Sequence, residues 1–335
     1  MRLLRSSQKP EAGPMELYDL STTTVTGDPE SLGLGQGEAF RSLIQNFIPM
    51  RFEAFAEYVR DAGRGDAGAL LHTGRMCYEI FRNWDPPAFM EHNAVAQAAL
   101  VDPVELFTAS NMTDIRDAVI LAGSKDDEGC SSLLLPRSHT AQGRIMGGQT
   151  WDLNPQDIDY VVGIHRKPTH GPETWSITLS GCPSLVGMNH LGRAVGTTNI
   201  KTWGAKPGIG YMNILHRALN AQTWDEAADV VANTKRAGAH TYWMVDADHA
   251  HEWETSPNTS VARDAMASPL CRTNHCLAEG IKEYEWQEPG SSTLARLSRI
   301  TEILALGGHT VESLRTLFSD RSDGVDSVNR FPEDN

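Results

Sequence analysis

The chain predicts a layered α+β domain, and three observations carry that prediction. Before Cys130 the apolar residues recur at helical spacing; beyond it, short partly alternating runs are separated by Gly, Pro, Asn or Asp; and further helical stretches interrupt those runs in mixed order. Regular β-α alternation, the mark of a parallel fold, is absent, so sheets flanked by helices fit better.

Residues 1–15 are polar with two prolines and read as a loose extension, after which 15–25 can supply a strand. From Gly37 onward Phe40, Leu43, Ile44, Phe47, Ile48, Phe52, Phe55 and Val59 form the stripe of a long amphipathic helix, kinked near Pro49. Residues 94–107 continue in helical style around Pro103, 118–122 read as a short strand, and Lys125-Asp126-Asp127-Glu128 make a polar, exposed approach to Gly129-Cys130. Strands are then expected at 132–135, 160–165, 174–179, 193–199, 241–245 and 251–254. Helices are expected at 207–220, where Pro207 suits a first turn, and at 223–237, opened by the capping box Thr223-x-x-Glu226. Two more are expected at 292–306, with Leu294, Leu297, Ile300 and Leu304 on one face, and at 311–318. No internal repeat, heptad array or low-complexity block occurs.

The 335 residues, 40% of them apolar, suffice for a substantial core. A formal net charge of -14 argues against a nucleic-acid or anionic-membrane partner, because an acidic surface repels phosphate. Five cysteines at irregular spacing suggest a reducing compartment. The basic N-terminus runs into Ser6-Ser7-Gln8-Lys9-Pro10-Glu11 where a secretory signal needs an apolar core. No apolar stretch reaches the roughly 18–20 residues of a spanning helix, and a soluble cytoplasmic protein is expected.

Chemistry concentrates at Gly129-Cys130. A thiol becomes a good nucleophile only as thiolate, and at a free pKa of about 8.5 it needs a base or a positive field. If the 129–130 bond is cut, the α-amine of Cys130 itself, ordinarily titrating at about 7.7–8.0, is that base. Glycine at 129 tolerates strained backbone and leaves its carbonyl open to the neighbouring sulfur. Downstream lie Gly148-Gln149-Thr150-Trp151-Asp152, Thr273-Asn274-His275 and Ser291-Ser292-Thr293-Leu294-Ala295-Arg296. Taken alone, an Asp ending a strand is a turn former, an Asn in a loop is a cap, and an Arg on a helix is a surface charge.

In this order, however, the segments resemble the acyl-coenzyme A:6-aminopenicillanic acid acyltransferase family of self-cleaving N-terminal-nucleophile amidohydrolases. The likeness extends through Thr26-Gly27-Asp28-Pro29, Leu34-Gly35-Gln36-Gly37, Met188-Asn189-His190-Leu191-Gly192, Glu252-Trp253-Glu254-Thr255-Ser256-Pro257 and the C-terminal Ser327-Val328-Asn329-Arg330, where Asn329 and Phe331 replace the family's usual Cys and His. It implies a four-layer αββα sandwich with antiparallel sheets, a helix-rich segment 1–129 and a sheet-rich segment 130–335 that stay associated after cleavage. It also implies roles: Cys130 as nucleophile, Asp152 beside its new amine, Asn274 as oxyanion donor and Arg296, or Arg299 one turn on, as the charge favouring thiolate. Thr150 stands where the family has Asn. The substrate class implied is a small linear amide, with water, an amine or an acyl-coenzyme A as co-substrate, and no cofactor. Two rivals remain: an ordinary cysteine protease pairing Cys130 with His275, and a catalytically inactive binding protein of the same fold.

Other signals are weaker. Leu32-Gly33-Leu34-Gly35-Gln36-Gly37 lacks the Lys-Ser/Thr and the ribose acid of nucleotide loops. Cys271 and Cys276 lack a second pair at zinc spacing. His249 and His251, near Asp246 and Asp248, could share a cation but read better as exposed hairpin residues. Trp203, Trp224, Trp243 and Trp253 read as packing groups.

Overall fold

A computed structural model describes residues 20–63, 65–121 and 129–329. The expected extension over 1–15, the start of the strand expected at 15–25, the approach 125–128 and the pair Arg330-Phe331 lie outside the described residues.

The chain opens with β1 (Ser21–Gly27), followed by α1 (Pro29–Ala39), α2 (Arg41–Ala62), α3 (Ala69–Trp84), α4 (Pro86–Ala99), α5 (Pro103–Ser110) and α6 (Met112–Val119). Strands β2 (Gly129–Leu135), β3 (Met146–Asp152), β4 (Val161–Pro168), β5 (Thr174–Leu179), β6 (Val186–Asn189) and β7 (Ala194–Asn199) come next. Then follow α7 (Tyr211–Asn220), α8 (Trp224–Asn233), β8 (His240–Val245), β9 (Ala250–Thr255), β10 (Ser260–Asp264), β11 (Leu270–Arg272), α9 (Glu279–Lys282), α10 (Ser291–Leu304) and α11 (Val311–Phe318).

Among the described residues the strands form one sheet of eight, ordered β1-β4-β5-β6-β7-β8-β9-β10, and one of three, β11-β2-β3. All pairings are antiparallel except β1 on β4, which run parallel in register from Ser21↔Val162 to Gly27↔Pro168. Side-chain alternation shows how they stack. On β2, Leu133 and Leu135 pack with Ile300, Leu304, Leu314 and Leu317 of α10 and α11, whereas Leu134 joins Trp243, Val245 and Ala250 of the large sheet. On β8, Tyr242 and Met244 turn the other way, into the main core shared with the N-terminal helices. The order is therefore helices, large sheet, small sheet, helices: an αββα sandwich. Because β2 and β3 touch β7, β8 and β9, the small sheet covers only that half of its larger partner.

Local chemistry explains most elements. Pro at the first turn and Asp caps at Asp28, Asp85 and Asp102 start α1, α4 and α5. The box Thr223–Glu226 caps α8 in both directions. The glycines of 33–37 belong to no ligand loop: they lie inside α1, where a Cβ on Gly33 would sit 2.1 Å from the Glu91 carbonyl oxygen and one on Gly37 2.4 Å from that of Val95. They let α1 and α4 pack backbone to backbone. Gly33→Ala should therefore destabilise the fold by about 1–3 kcal/mol, as overpacking does, visible as a lower denaturation midpoint with unchanged m-value.

Over 118–121, the described part of the strand expected at 118–122, no strand forms. Residues 118 and 119 close α6 instead, and Ile120 turns extended (φ -155, ψ 122); a short apolar run does not distinguish a buried helix end from a strand. Helices expected at 207–220 and 223–237 are shorter by several residues, since outside α7 and α8 the Ala237 N–H donates to the Ile209 carbonyl and the Ile209 N–H to the Lys235 carbonyl.

Buried charge ties the N-terminal helices to the sheet. Arg166 on β4 reaches Glu91 of α4 at 2.7 Å, Gln36 of α1 at 2.9 Å and Ser176 of β5 at 3.1 Å. Burial works against ionisation of Glu91, but the charges of Arg166 and His216 outweigh it and hold the carboxyl down at about 2. Among the described residues no helix is long and apolar enough to cross a membrane.

Candidate active site

Cys130 is the second residue of β2, with its side chain on the face that looks into the space between the sheets. Its register partner on β3 is Trp151, and Gly129 lies opposite Asp152, about 5 Å away between Cα atoms as in any antiparallel pair. The Cys130 N–H donates to Asn274 Oδ1 at 2.8 Å. Arg296 Nη1 donates to the Cys130 carbonyl at 2.6 Å and to Ser131 Oγ at 2.9 Å, and its Nη2 reaches Asn274 Oδ1 at 2.9 Å. Asn274 Nδ2 in turn donates to the Asn199 carbonyl at 2.9 Å. With two donors on one atom and an acceptor on the other, the orientation of this amide is fixed by its network.

Cys130, Asn274 and Arg296 are thus brought together, and Asp152 lines the same cavity as Cys130 and Asn274. Arg299 is not part of this group; it is half exposed and pairs with Asp320 at 2.9 Å. Arg296 grips the backbone of β2 and the Asn274 amide. Thr150, the departure from the family pattern, accepts the Ser131 N–H on its hydroxyl at 3.0 Å.

The loop bearing Asn274 is held from behind. Arg272, wholly buried, lies 2.5 Å from Glu252 and 2.7 Å from Glu254 and donates to the His275 carbonyl at 3.1 Å. Glu254 also accepts the N–H groups of Leu277 and Ala278. The Glu-Trp-Glu run on β9 therefore braces the residues after Asn274. His275 Nδ1 meets the hydroxyls of Thr293 and Thr273 at 2.9 and 3.3 Å. Burial, then Arg272, Arg296 and Lys282, push its pKa down to about 4, and the residue is not among those lining the cavity. The conventional Cys130–His275 pairing is not assembled.

The cavity itself, about 50 Å³, is lined by residues of β2, β3 and β7 together with residues of α2, α7 and β8. Strands β6 and β7 pair only at Gly187↔Val195 and Met188↔Ala194. Beyond that point the edge of β7 is satisfied by side chains, the Thr197 N–H by Gln149 Oε1 at 2.8 Å and the Asn199 carbonyl by Asn274. Cys130, Gln149 and Asn274 line the upper side, while Arg51, Asp157, Tyr211 and His240 line the lower. Arg51 pairs with Asp157 at 2.8 Å, and His240 Nε2 meets Asp114 at 2.7 Å while its ring stacks on Tyr211 at 4.3 Å. Sequence reasoning missed this floor. One signal was available: Arg51 falls on the apolar stripe of α2 with Phe47, Ile48 and Phe55, and a charge on a buried face demands a buried partner.

The described residues include all five cysteines, and none of them forms a disulfide. Burial pushes the thiols of Cys77 and Cys182 up to about 11 and about 12, and it raises those of Cys271 and Cys276. Among the described residues no cluster of three or more His, Cys, Asp or Glu could hold a metal ion. His249 stacks on Trp224 at 4.5 Å and meets Asp246 at 3.0 Å in the β8–β9 turn.

The model of the family described as acyl-coenzyme A:6-aminopenicillanic acid acyl-transferase matches residues 139–334, and the chain belongs to that family. Asp152, Asn274 and Arg296 lie within the match, and Cys130 just before it. Solved structures with similarity include an N-acylethanolamine-hydrolyzing acid amidase ortholog of Caenorhabditis elegans (14% identity, 57% of this chain and 86% of that one, TM-score 0.43). Penicillin V acylase of Agrobacterium tumefaciens (12%, 58% and 68%, 0.32) and a variant of conjugated bile acid hydrolase from Clostridium perfringens (10%, 57% and 70%, 0.33) are others.

Proposed function

We propose that this chain is a self-processing cysteine amidohydrolase or acyltransferase that acts on a small linear amide through a Cys130 thioester. The observation that carries the proposal is the grip on Cys130: Asn274 holds its backbone nitrogen and Arg296 its carbonyl, inside a cavity. The Cys130 N–H lies beyond the end of β11, whose Arg272 pairs with Ser132, so its acceptor is a side chain that can stay with the nitrogen when it becomes an amine.

In processing, Cys130 Sγ attacks the Gly129 carbonyl carbon, the C–N bond breaks, and the freed nitrogen takes up a proton. Water then hydrolyses the resulting thioester, leaving a Gly129 carboxylate and an N-terminal Cys130. In turnover, the α-amine takes the thiol proton and sulfur adds to the substrate carbonyl. The oxyanion is met by the second N–H of Asn274 Nδ2. Collapse expels the amine, protonated by the α-ammonium, and leaves the acyl thioester. Water or an acceptor amine resolves it, and the choice depends on how well the closed site excludes water. Asp152, opposite Gly129, orients the new amine. The fragments 1–129 and 130–335 stay together through contacts such as Arg166–Glu91.

Intact-mass measurement of the purified protein should show two pieces, the second beginning at Cys130. Iodoacetamide near neutral pH should label Cys130 well before Cys77 or Cys182, whose thiols burial holds protonated. A single uncut chain that turns over amides would refute the mechanism, and uniform labelling would favour an inactive binding protein.

A further inference from the structure

We infer that the half of the large sheet left uncovered among the described residues is the acyl subsite of this enzyme, and that it takes an extended apolar acyl chain; the inference rests on the amidase reading above. Among the described residues the small sheet stops at β3, and beside it lies a groove of about 630 Å³, within the range of small-molecule sites. Its floor is a row of side chains in register across five strands: Thr24, His165, Trp175, Met188 and Ala194. Ile177 lies beside them, and Trp175, Ile177 and Met188 are 40%, 45% and 51% exposed. Contiguous apolar exposure of this kind marks a binding surface. The wall is β3 at Gly147, Gly148 and Gln149, closed by Phe318 from α11.

Two features assign the occupant. Gln149 lines both this groove and the Cys130 cavity, so the two are neighbours through one side chain. On the opposite side, across Asn199 and Asn274, lies a polar hollow of about 190 Å³ that includes Lys201, Glu285 and Glu288. The proton for the leaving amine comes from the Cys130 nitrogen, which is held on the Asn274 side. The amine half must therefore face the polar hollow, and the acyl half points past Gln149 into the apolar groove.

The test uses the processed protein and amides of one polar amine, acylated from acetyl through hexanoyl to decanoyl. The inference expects kcat/KM to rise by roughly threefold per methylene until the groove fills. Met188→Glu should lower the decanoyl-to-acetyl ratio at least tenfold, with cleavage into two fragments confirming that the variant folds. A flat series, or a rise that survives Met188→Glu, overturns the inference. If no amide is turned over, decanoate is titrated into Cys130→Ala by the fluorescence of Trp175 and Trp243. Saturable binding lost in the Met188→Glu double variant supports the groove, and no binding overturns it, whatever becomes of the catalytic reading. A Met188→Glu variant that converts a dimer to a monomer in native mass measurement, with an unaltered ratio, assigns the face to a second copy and overturns it too.

Discussion

Cys130→Ala should yield one uncut polypeptide with turnover reduced to background. The substitution removes a single buried sulfur from a strand whose fold depends on Leu133, Leu134 and Leu135 rather than on residue 130, so the protein should remain folded. Two functions vanish together, since without sulfur there is no attack on Gly129 and hence no free α-amine. Cys130→Ser separates them. A hydroxyl can still attack, but a thiol at about 8.5 is nearly matched to an α-amine at about 7.7–8.0, whereas a hydroxyl is not. The serine variant should process slowly and turn over slower still. Intact mass against time gives the first rate, and hydroxylamine trapping of the acyl-enzyme gives the second. Prompt, complete cleavage of Cys130→Ala would mean that the 129–130 bond is cut by something other than its own side chain.

Much of this arrangement was legible before any coordinates, for reasons that differ by element. Strand β5 and helix α11 were expected at their observed bounds because alternation and amphipathic spacing are local signals. The glycines of α1 were read against a nucleotide loop but not as a helix, since glycine is a poor helix former; close packing on α4 overrides that propensity. Strands β10 and β11 went unseen because each is short and pairs with a strand distant in sequence or carries few apolar residues. At the site, the grouping of Cys130, Asn274 and Arg296 came from ordered motifs and not from spacing. No property of one sequence brings together residues 144 and 166 positions apart. The floor of Arg51, Asp157, Tyr211 and His240 stayed hidden for the same reason: it draws on α2, the β3–β4 connection, α7 and β8, which only the fold brings to one cavity.

In the proposed mechanism the role of Asn274 divides by atom, and Asn274→Asp tests the division. Aspartate keeps the acceptor that the Cys130 nitrogen and Arg296 Nη2 use, at 2.8 and 2.9 Å in the native chain. It loses both N–H groups, so the Asn199 carbonyl faces a carboxylate oxygen and the tetrahedral oxyanion has no side-chain donor. Removal of one such donor typically lowers kcat by about 10² to 10³, and that loss should appear on the pH plateau of Asn274→Asp. A second effect travels with it. The added negative charge stabilises the α-ammonium and raises its pKa, so the limb that reports the neutral amine should move to higher pH, damped by the adjacent Arg296. The two signatures are independent: positioning of the amine moves the limb, and oxyanion stabilisation lowers the plateau. A variant with a displaced limb and a wild-type plateau would leave Asn274 as a positioning residue alone, and the oxyanion would then have to be held by backbone N–H groups lining the cavity.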